Sequence, residues 1–361
     1  MQGIRGRNRA AAWAAVILGL AAGAAPSLST AAVPRFTVVD LGTLGGPGSY
    51  ATAVSDTGFV VGCSDVMPQG VHAFIYYQGA MRDLGSASDD GGNSCALAVN
   101  DAGTAAGRAG NGDLVAWSGG SVTRLGVKGN VGAINDAGAI VGSHPDGART
   151  MAFLYQAGKL MDIGNPAVSS EATAINAQGE VVGASDGRAF LFRDGTLRDL
   201  GTLGGGSSVA KGINDRGEVV GMASDEHGIR AAFLFDGTLR ALPGAGDSAA
   251  IDINDRAEII GSAEGSFGYI VVRDALTRLD TLPEVRARGL HRVEPTAINN
   301  RGWIVGTAVN AQGDTRAVLF VPAAEAGLGG TAVNPGVVVA VDEDLREPHR
   351  GLGEDDRERI H

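Results

Sequence analysis

Short runs of apolar residues alternate with polar turns along the whole chain, and they recur in one pattern. A small or β-branched strand leads into an Asn-Asp-x-Gly-like turn, and a Val-Val-Gly-like strand follows the turn. The seven copies read AVSDTGFVVG, AVNDAGTAAG, AINDAGAIVG, AINAQGEVVG, GINDRGEVVG, DINDRAEIIG and AINNRGWIVG, and they close at Gly62, Gly107, Gly142, Gly183, Gly221, Gly261 and Gly306. Closing glycines that recur every 35 to 45 residues indicate a repeat architecture.

The fourth copy shows the elements of one repeat most clearly. Its Asp194-Gly195 dipeptide is a strong hairpin signal, and Gly179 suits a turn position with positive φ. The four short strands that the pattern predicts, all joined by tight turns, are 172–176, 180–184, 189–192 and 197–200.

Four antiparallel strands with a period near forty are typical of one β-propeller blade. The seventh copy has no fourth strand of its own, but the segment FTVVDLGTLGG from Phe36 supplies one. The sequence therefore predicts an all-β protein, a seven-bladed β-propeller of four-stranded antiparallel blades, with the ring closed by the N-terminal strand completing the last blade. A β-solenoid would not need that strand. An eight-bladed ring would have to recruit Gly329–Val341, which no third strand follows.

The two ends of the chain differ from the repeats. Arg5, Arg7 and Arg9 precede an apolar run and then small residues, which is the layout of a secretory signal peptide. An uncleaved anchor is the alternative, but the run is shorter than the ~20 residues that span a bilayer. We expect a signal peptide over 1–32, the propeller over 33–322 and an acidic, disordered tail over 323–361. We also expect a secreted protein, extracellular or periplasmic, that is monomeric and has no membrane span after cleavage.

Composition narrows the function classes. The formal net charge of −11 disfavours nucleic acid as a partner, because an acidic surface repels phosphates. The 57 glycines are consistent with many tight turns. The two cysteines have no metal-ligand spacing, and we predict neither a metal nor a cofactor.

Three motifs together resemble the bacterial HAF-repeat family of extracellular proteins. They are VHAFIYYQGAMRDLG from Val71, DLGTLGG from Asp40 and again from Asp199, and AINDAGAIVG. The tripeptide that names the family stands once, at His72-Ala73-Phe74, and diverges in the other copies. The resemblance covers 35–322 and implies export and a repeat fold, but no activity.

The repeated Asn-Asp turns and His72 are the first candidates for metal ligands. Each turn offers only two side chains, whereas calcium takes six to eight oxygens, and Asn and Asp are the residues that tight turns favour. His72 is replaced in the other copies, and the sequence shows no partner for it. Turn chemistry is the interpretation that we favour.

Acidic residues on the first strands suggest a second hypothesis. Asp252 stands where the other copies have Ala or Gly, and Lys211 is out of pattern in the preceding copy, so the two could form an ion pair. With Glu171 and Glu294, near the starts of their strands, Asp252 could instead form an acidic cluster at the channel mouth. Paired carboxylates could then perform glycoside hydrolysis.

The longest connection, Asp280–Pro295, carries Arg286, Arg288, His291 and Arg292 on an otherwise acidic protein. It could bind an anionic polymer such as an acidic glycan, or it could be a solvated insertion. Binding residues are often found on such loops over a rigid scaffold.

Cys63 ends the second strand of the first copy and Cys95 begins the first strand of the next. Both strand ends should lie on one face of neighbouring blades, so a disulfide between them is a candidate in an exported protein.

The sequence thus favours an exported, non-catalytic binding module with a glycan or protein partner on its loop face. The alternative is a propeller glycoside hydrolase or lyase that uses carboxylates near the axis. A purely structural repeat protein is the third possibility.

Overall fold

The computed structural model describes residues 34–87, 91–243, 246–263 and 267–323. The predicted signal peptide and residues 324–361 of the predicted tail, including Gly329–Val341, lie outside the described residues.

Twenty-eight strands make up nearly all of the described fold. In chain order they are β1 (Phe36–Asp40), β2 (Gly45–Val54), β3 (Val60–Val66), β4 (Val71–Tyr77), β5 (Ala80–Asp83), β6 (Ser94–Val99), β7 (Ala105–Ala109), β8 (Asp113–Ser118), β9 (Ser121–Lys128), β10 (Asn130–Ile134), β11 (Ile140–Asp146), β12 (Arg149–Gln156), β13 (Lys159–Asp162), β14 (Ser170–Ile175), β15 (Val181–Ser185), β16 (Arg188–Arg193), β17 (Thr196–Gly201), β18 (Gly204–Ile213), β19 (Val219–Asp225), β20 (Arg230–Phe235), β21 (Leu239–Ala241), β22 (Ser248–Ile253), β23 (Ile259–Ala263), β24 (Phe267–Val272), β25 (Ala275–Arg278), β26 (His291–Ile298), β27 (Ile304–Val309) and β28 (Thr315–Pro322). A 3₁₀ turn (Leu279–Thr281) and a short helix, α1 (Pro283–Ala287), connect β25 to β26.

The strands form seven four-stranded antiparallel sheets, which are the seven blades of a β-propeller. Blade 1 contains β2–β5, blade 2 β6–β9, blade 3 β10–β13, blade 4 β14–β17, blade 5 β18–β21 and blade 6 β22–β25. Blade 7 contains β26–β28 and, as its outermost strand, β1. This pairing runs from Phe36 opposite Pro322 to Asp40 opposite Val318. The predicted fold and the predicted ring closure are both confirmed.

Each first strand contains a β-bulge at the same place, which explains why a glycine closes every copy of the pattern. The residues in the shifted position are Thr52, Leu97, Gly132, Thr173, Lys211, Ile251 and Thr296. The bulge brings a first-strand carbonyl oxygen against the closing glycine: a Cβ on Gly62 would lie 1.9 Å from the Tyr50 oxygen, and one on Gly183 1.9 Å from the Glu171 oxygen. The same clash recurs at the other five closing glycines.

Serines on five of the first strands join neighbouring blades. Each Oγ accepts the backbone N–H of a third-strand alanine in the preceding blade, over 2.8–3.0 Å, at Ser49, Ser94, Ser170, Ser208 and Ser248. Ser94, for example, binds the N–H of Ala73 and donates to the carbonyl of Gly85. The alanine of the His-Ala-Phe tripeptide and the glycine of Asp-Leu-Gly are therefore parts of one junction.

Seven apolar clusters, one between each pair of neighbouring blades, form the core. The third-strand aromatic rings Phe74, Phe153, Phe190 and Phe233 are almost completely buried in them. No helix in the described ranges has the length and the apolar run needed to cross a bilayer.

Candidate functional site

The seven first strands surround a central channel, and their ends enclose a cavity of about 320 Å³. We call the face that carries the first turn of each blade the hairpin face. The opposite face carries the connections between blades and the loops between second and third strands, and we call it the crossover face. The cavity is lined by the last residues of the first strands and by the turns of the hairpin face.

A belt of asparagine side chains links the blades around the cavity. Each Nδ2–H donates to a backbone carbonyl in the next blade over 2.8–3.2 Å, and the donors are Asn100, Asn135, Asn176, Asn214, Asn254 and Asn299. Their Oδ1 atoms accept N–H groups of their own turns, as Asn135 does from Ala139. Blade 1 has Ser55 at this position, and its Oγ atom bonds within its own turn, to Thr57 Oγ1 and to the N–H of Phe59. The preference for Asn thus has two causes, turn chemistry and a bond between blades that the sequence pattern does not reveal.

The residue after each of these positions adds a ring of acidic side chains on the hairpin face. Carboxylates or amide oxygens accept turn N–H groups of the preceding blade over 2.7–3.0 Å, and the acceptors are Asp56, Asp101, Asp136, Asp215, Asp255 and Asn300. Burial raises the pKa of Asp56, and repulsion from Asp101 and Asp136 adds to the rise. In the described part of the chain, no three His, Cys, Asp or Glu residues come together in an arrangement suited to a metal ion.

Asp252 lies within the channel and joins blades 6 and 7. Its carboxylate accepts the backbone N–H of Ile253 at 2.9 Å and that of Ile298 at 3.0 Å. Desolvation by burial raises the pKa of Asp252 to about 6, although the two hydrogen bonds act in the opposite direction.

The ion pair between Asp252 and Lys211 is not formed. Lys211 lines the same cavity but has no ion-pair partner among the described residues. The carboxylate is satisfied by backbone N–H groups instead, and a Cβ on Gly212 would lie 2.9 Å from its Oδ1 atom, so the glycine leaves room for it. The predicted ion pair was wrong because it considered only side chains. The backbone N–H groups of the strands donate to the Asp252 carboxylate instead.

Glu171 and Glu294 lie elsewhere than Asp252. Both are exposed and occupy the same register position, opposite Ala184 and Thr307, toward the crossover face. They belong to blades 4 and 7, which are not adjacent, and neither lines the cavity that Asp252 lines. The structure therefore does not bring the three carboxylates together in that cavity.

The connection between blades 6 and 7, together with the start of β26 (residues 279–294), is an anchored insertion, not the loop that the sequence suggested. Its apolar side chains are buried against β1 and β28, in one cluster with Phe36 and Phe320, and they are Leu279, Leu282, Val285, Leu290 and Val293. A weak ion pair of 3.5 Å between Arg35 and Glu284 adds to this contact. The backbone of the insertion is thus fixed to the core of blade 7.

This anchored insertion presents four basic side chains on the crossover face, Arg286, Arg288, His291 and Arg292, and we call them the basic cluster. All four are exposed, and within the described residues none has an ion-pair partner or a side-chain hydrogen bond. Arg292 has a positive φ of 49° and lies in a bulge between His291 and Glu294. A non-glycine residue in this conformation is uncommon, and such strain often occurs where a side chain must be aimed.

Two further sequence predictions concern the crossover face. Cys63 and Cys95 form a disulfide, which joins blades 1 and 2 with a Cα–Cα distance of 4.8 Å. The prediction that His72 has no partner was wrong, because its Nδ1 atom lies 2.9 Å from an Asp83 oxygen.

The same contact recurs in two other blades. Arg188 pairs with Asp199 at 3.0 Å, and Arg316 pairs with Asp40 at 3.2 Å. The first residue of the tripeptide therefore binds the aspartate of Asp-Leu-Gly within its own blade, which is a structural role.

No family model matches the chain, and no curated protein matches its sequence. Solved structures do match in fold. The structure of YCF48 bound to D1 peptide has a TM-score of 0.50 and 11% identity, covering 79% of this chain and 96% of that one. The β-propeller domain of the trilobed protease from Pyrococcus furiosus has a TM-score of 0.48 and 11% identity, covering 76% of this chain and 95% of that domain. At 11% identity the likeness to the first of these structures speaks for the fold alone.

Proposed function

We propose that this protein is an exported, non-catalytic binding module that holds an anionic partner on its crossover face. The observation that carries the proposal is the basic cluster: four exposed cationic or ionisable side chains without intramolecular partners, on a protein of net charge −11. Basic side chains that only keep a protein soluble do not require the segment that carries them to be packed into the core, whereas five apolar side chains of this insertion are buried there.

The anchor matters energetically. A binding loop loses conformational freedom when it engages a partner, and a loop that is already fixed loses less. Because Leu279 and Val293 hold both ends of the insertion in the core, the arginines are presented at little additional cost. The acidic remainder of the surface repels a polyanion and so confines it to the basic cluster.

Export is part of the proposal. It is supported by the signal-peptide pattern over 1–32, by the resemblance to the HAF-repeat family and by the disulfide, since disulfides persist in oxidising compartments. A binding role has a precedent among similar folds, because the YCF48 structure contains a bound D1 peptide.

The test is binding of the purified protein to immobilised polygalacturonate and heparin, with neutral dextran as the reference. We expect binding to both polyanions that weakens with salt, and at least a tenfold loss in the Arg286→Gln/Arg288→Gln double variant. A matched control is Arg82→Gln/Lys159→Gln, which removes two exposed, unpaired charges from the fourth strands β5 and β13 and should leave binding unchanged. Equal losses in both double variants would contradict the proposal.

The same polysaccharides also test the alternative function. Release of shortened products that is abolished by Asp252→Asn or Glu294→Gln would identify a hydrolase or lyase and overturn the non-catalytic assignment. Binding without product release is the result that we expect.

A further inference from the structure

One exposed aromatic residue lies on the first strand of blade 1, next to the blade whose first strand carries Arg292. Tyr50 is 43% exposed and is the only aromatic residue among the exposed large hydrophobic side chains in the described part of the chain. Its neighbours along the strand, Ser49 and Ala51, are buried. Tyr50 also belongs to neither of the apolar clusters that border blade 1.

Tyr50 and Glu294 occupy equivalent positions in adjacent blades. The carbonyl oxygen of each lies against the closing glycine of its own blade, Gly62 or Gly306. Their strands are tied directly together, because Thr296 Oγ1 donates to the carbonyl of Ala51 at 3.0 Å. The aromatic ring and the carboxylate thus belong to the same end of the channel, on the crossover face.

Arg292 belongs to the same strand end as Glu294, two residues before it. The bulge that gives Arg292 its φ of 49° separates it from the regular pairing of β26 with β27. Along β26, Arg292 of the basic cluster is therefore followed by Glu294, and Tyr50 lies on the first strand of the adjacent blade.

This combination is suited to a sugar acid. A pyranose ring presents a face of C–H groups that packs on an aromatic ring, and tyrosine provides a large contact area at low conformational cost. The hydroxyl groups of the sugar donate hydrogen bonds to a protein carboxylate, and the carboxylate of the sugar acid accepts hydrogen bonds from a guanidinium. A plain polyanion would use the guanidinium only and would be repelled by Glu294.

We propose that Tyr50, Glu294 and Arg292 form a subsite for one uronic acid residue of an acidic polysaccharide. This subsite rests on the proposed function, since it specifies the kind of anion that the crossover face selects.

The experiment compares an oligogalacturonate with poly-L-glutamate, a polyanion without sugar rings, as ligands of the purified protein. We expect Tyr50→Ala to weaken oligogalacturonate binding at least tenfold and to leave poly-L-glutamate binding unchanged. Tyr50→Phe should retain the sugar affinity, because the ring face is kept. Met161→Ala, which removes an exposed apolar side chain from β13, is the matched control and should change neither affinity.

The outcomes separate this subsite from the broader function. If Tyr50→Ala leaves oligogalacturonate binding intact, or weakens both ligands equally, the subsite is overturned and the basic cluster retains its role. If the unaltered protein binds poly-L-glutamate but not oligogalacturonate, the subsite is likewise overturned and the basic cluster retains its role. If the unaltered protein binds neither ligand, both proposals fail.

Discussion

At the scale of single residues, the closing glycines are required by a steric contact. A Cβ on Gly142 would lie 2.0 Å from the Asn130 carbonyl oxygen, which belongs to the strand that pairs with it. We expect Gly142→Ala to lower the free energy of unfolding by about 3 kcal/mol, because backbone on both strands would have to shift. Gly206→Ala is the control, since nothing lies within 4 Å of its Cβ position. Urea unfolding would measure both variants, and equal small effects would contradict the steric explanation.

Asp252 gives a second prediction at this scale, in the dependence of stability on pH. Its pKa is about 6 in the folded protein and near 3.8 without burial, so the favourable contribution of its protonation is complete below pH 4 and is lost as the pH rises through 6. Asp252→Ala removes this dependence, and other blades have alanine at the position. Relative to the unaltered protein, we expect the variant to gain up to about 3 kcal/mol between pH 4 and pH 7. Unfolding measured at several pH values tests this, and a difference that stays constant with pH would contradict it.

The sequence identified individual residues unevenly, for a physical reason. It located every closing glycine, because a local pattern repeats. It could not show why glycine is required there, since the reason is a carbonyl oxygen on another strand. The partner of His72 was missed for the same reason: Asp83 lies on the next strand, and the contact depends on strand register. The unusual place of Asp252 was noticed, but its donors are backbone groups that no side-chain pattern reveals.

At the scale of elements, the asparagine belt holds each first turn to the next blade. It is interrupted where Ser55 replaces asparagine in blade 1. Ser55→Asn should complete the belt toward Asn100 and raise the free energy of unfolding by about 1 kcal/mol, the usual net value of a hydrogen bond.

The reverse change provides the comparison. Asn135→Ser removes a bond of 3.1 Å to the Asn176 carbonyl and should destabilise the protein by about 1–2 kcal/mol. Thermal unfolding of both variants tests the belt. If Asn135→Ser has no effect, the belt does not contribute to stability.

The strands of each blade were predictable because Asn, Asp and Gly mark their turns and because one period repeats along the chain. Helix α1 was not, since five residues give too short a pattern to distinguish a helix from a loop. Its helical form depends on Leu282 and Val285 packing against blade 7, which is a contact between distant parts of the sequence.

At the scale of the whole molecule, one strand pairing and one covalent bond stabilise the ring. The pairing joins β1 to β28, and the disulfide joins blades 1 and 2. The disulfide closes a segment with a sequence separation of 32 residues. By the chain-entropy relation, replacing both cysteines with serine should lower the free energy of unfolding by about 3–4 kcal/mol. Chemical denaturation of the double variant measures this loss. An unchanged midpoint would show that the remaining contacts between blades are sufficient.

The two faces of the ring carry different side chains around the channel. The ring of aspartates lies on the hairpin face, whereas the basic cluster and Tyr50 lie on the crossover face. We therefore expect an anionic partner to engage the crossover face.

Hydrogen–deuterium exchange with and without an oligogalacturonate tests this central claim most directly. We predict slower exchange in residues 283–294 and in the part of β2 around Tyr50, with no change in the first turns of the hairpin face. Protection confined to those turns, or the absence of protection at saturating ligand, would contradict the assignment of the crossover face as the binding surface.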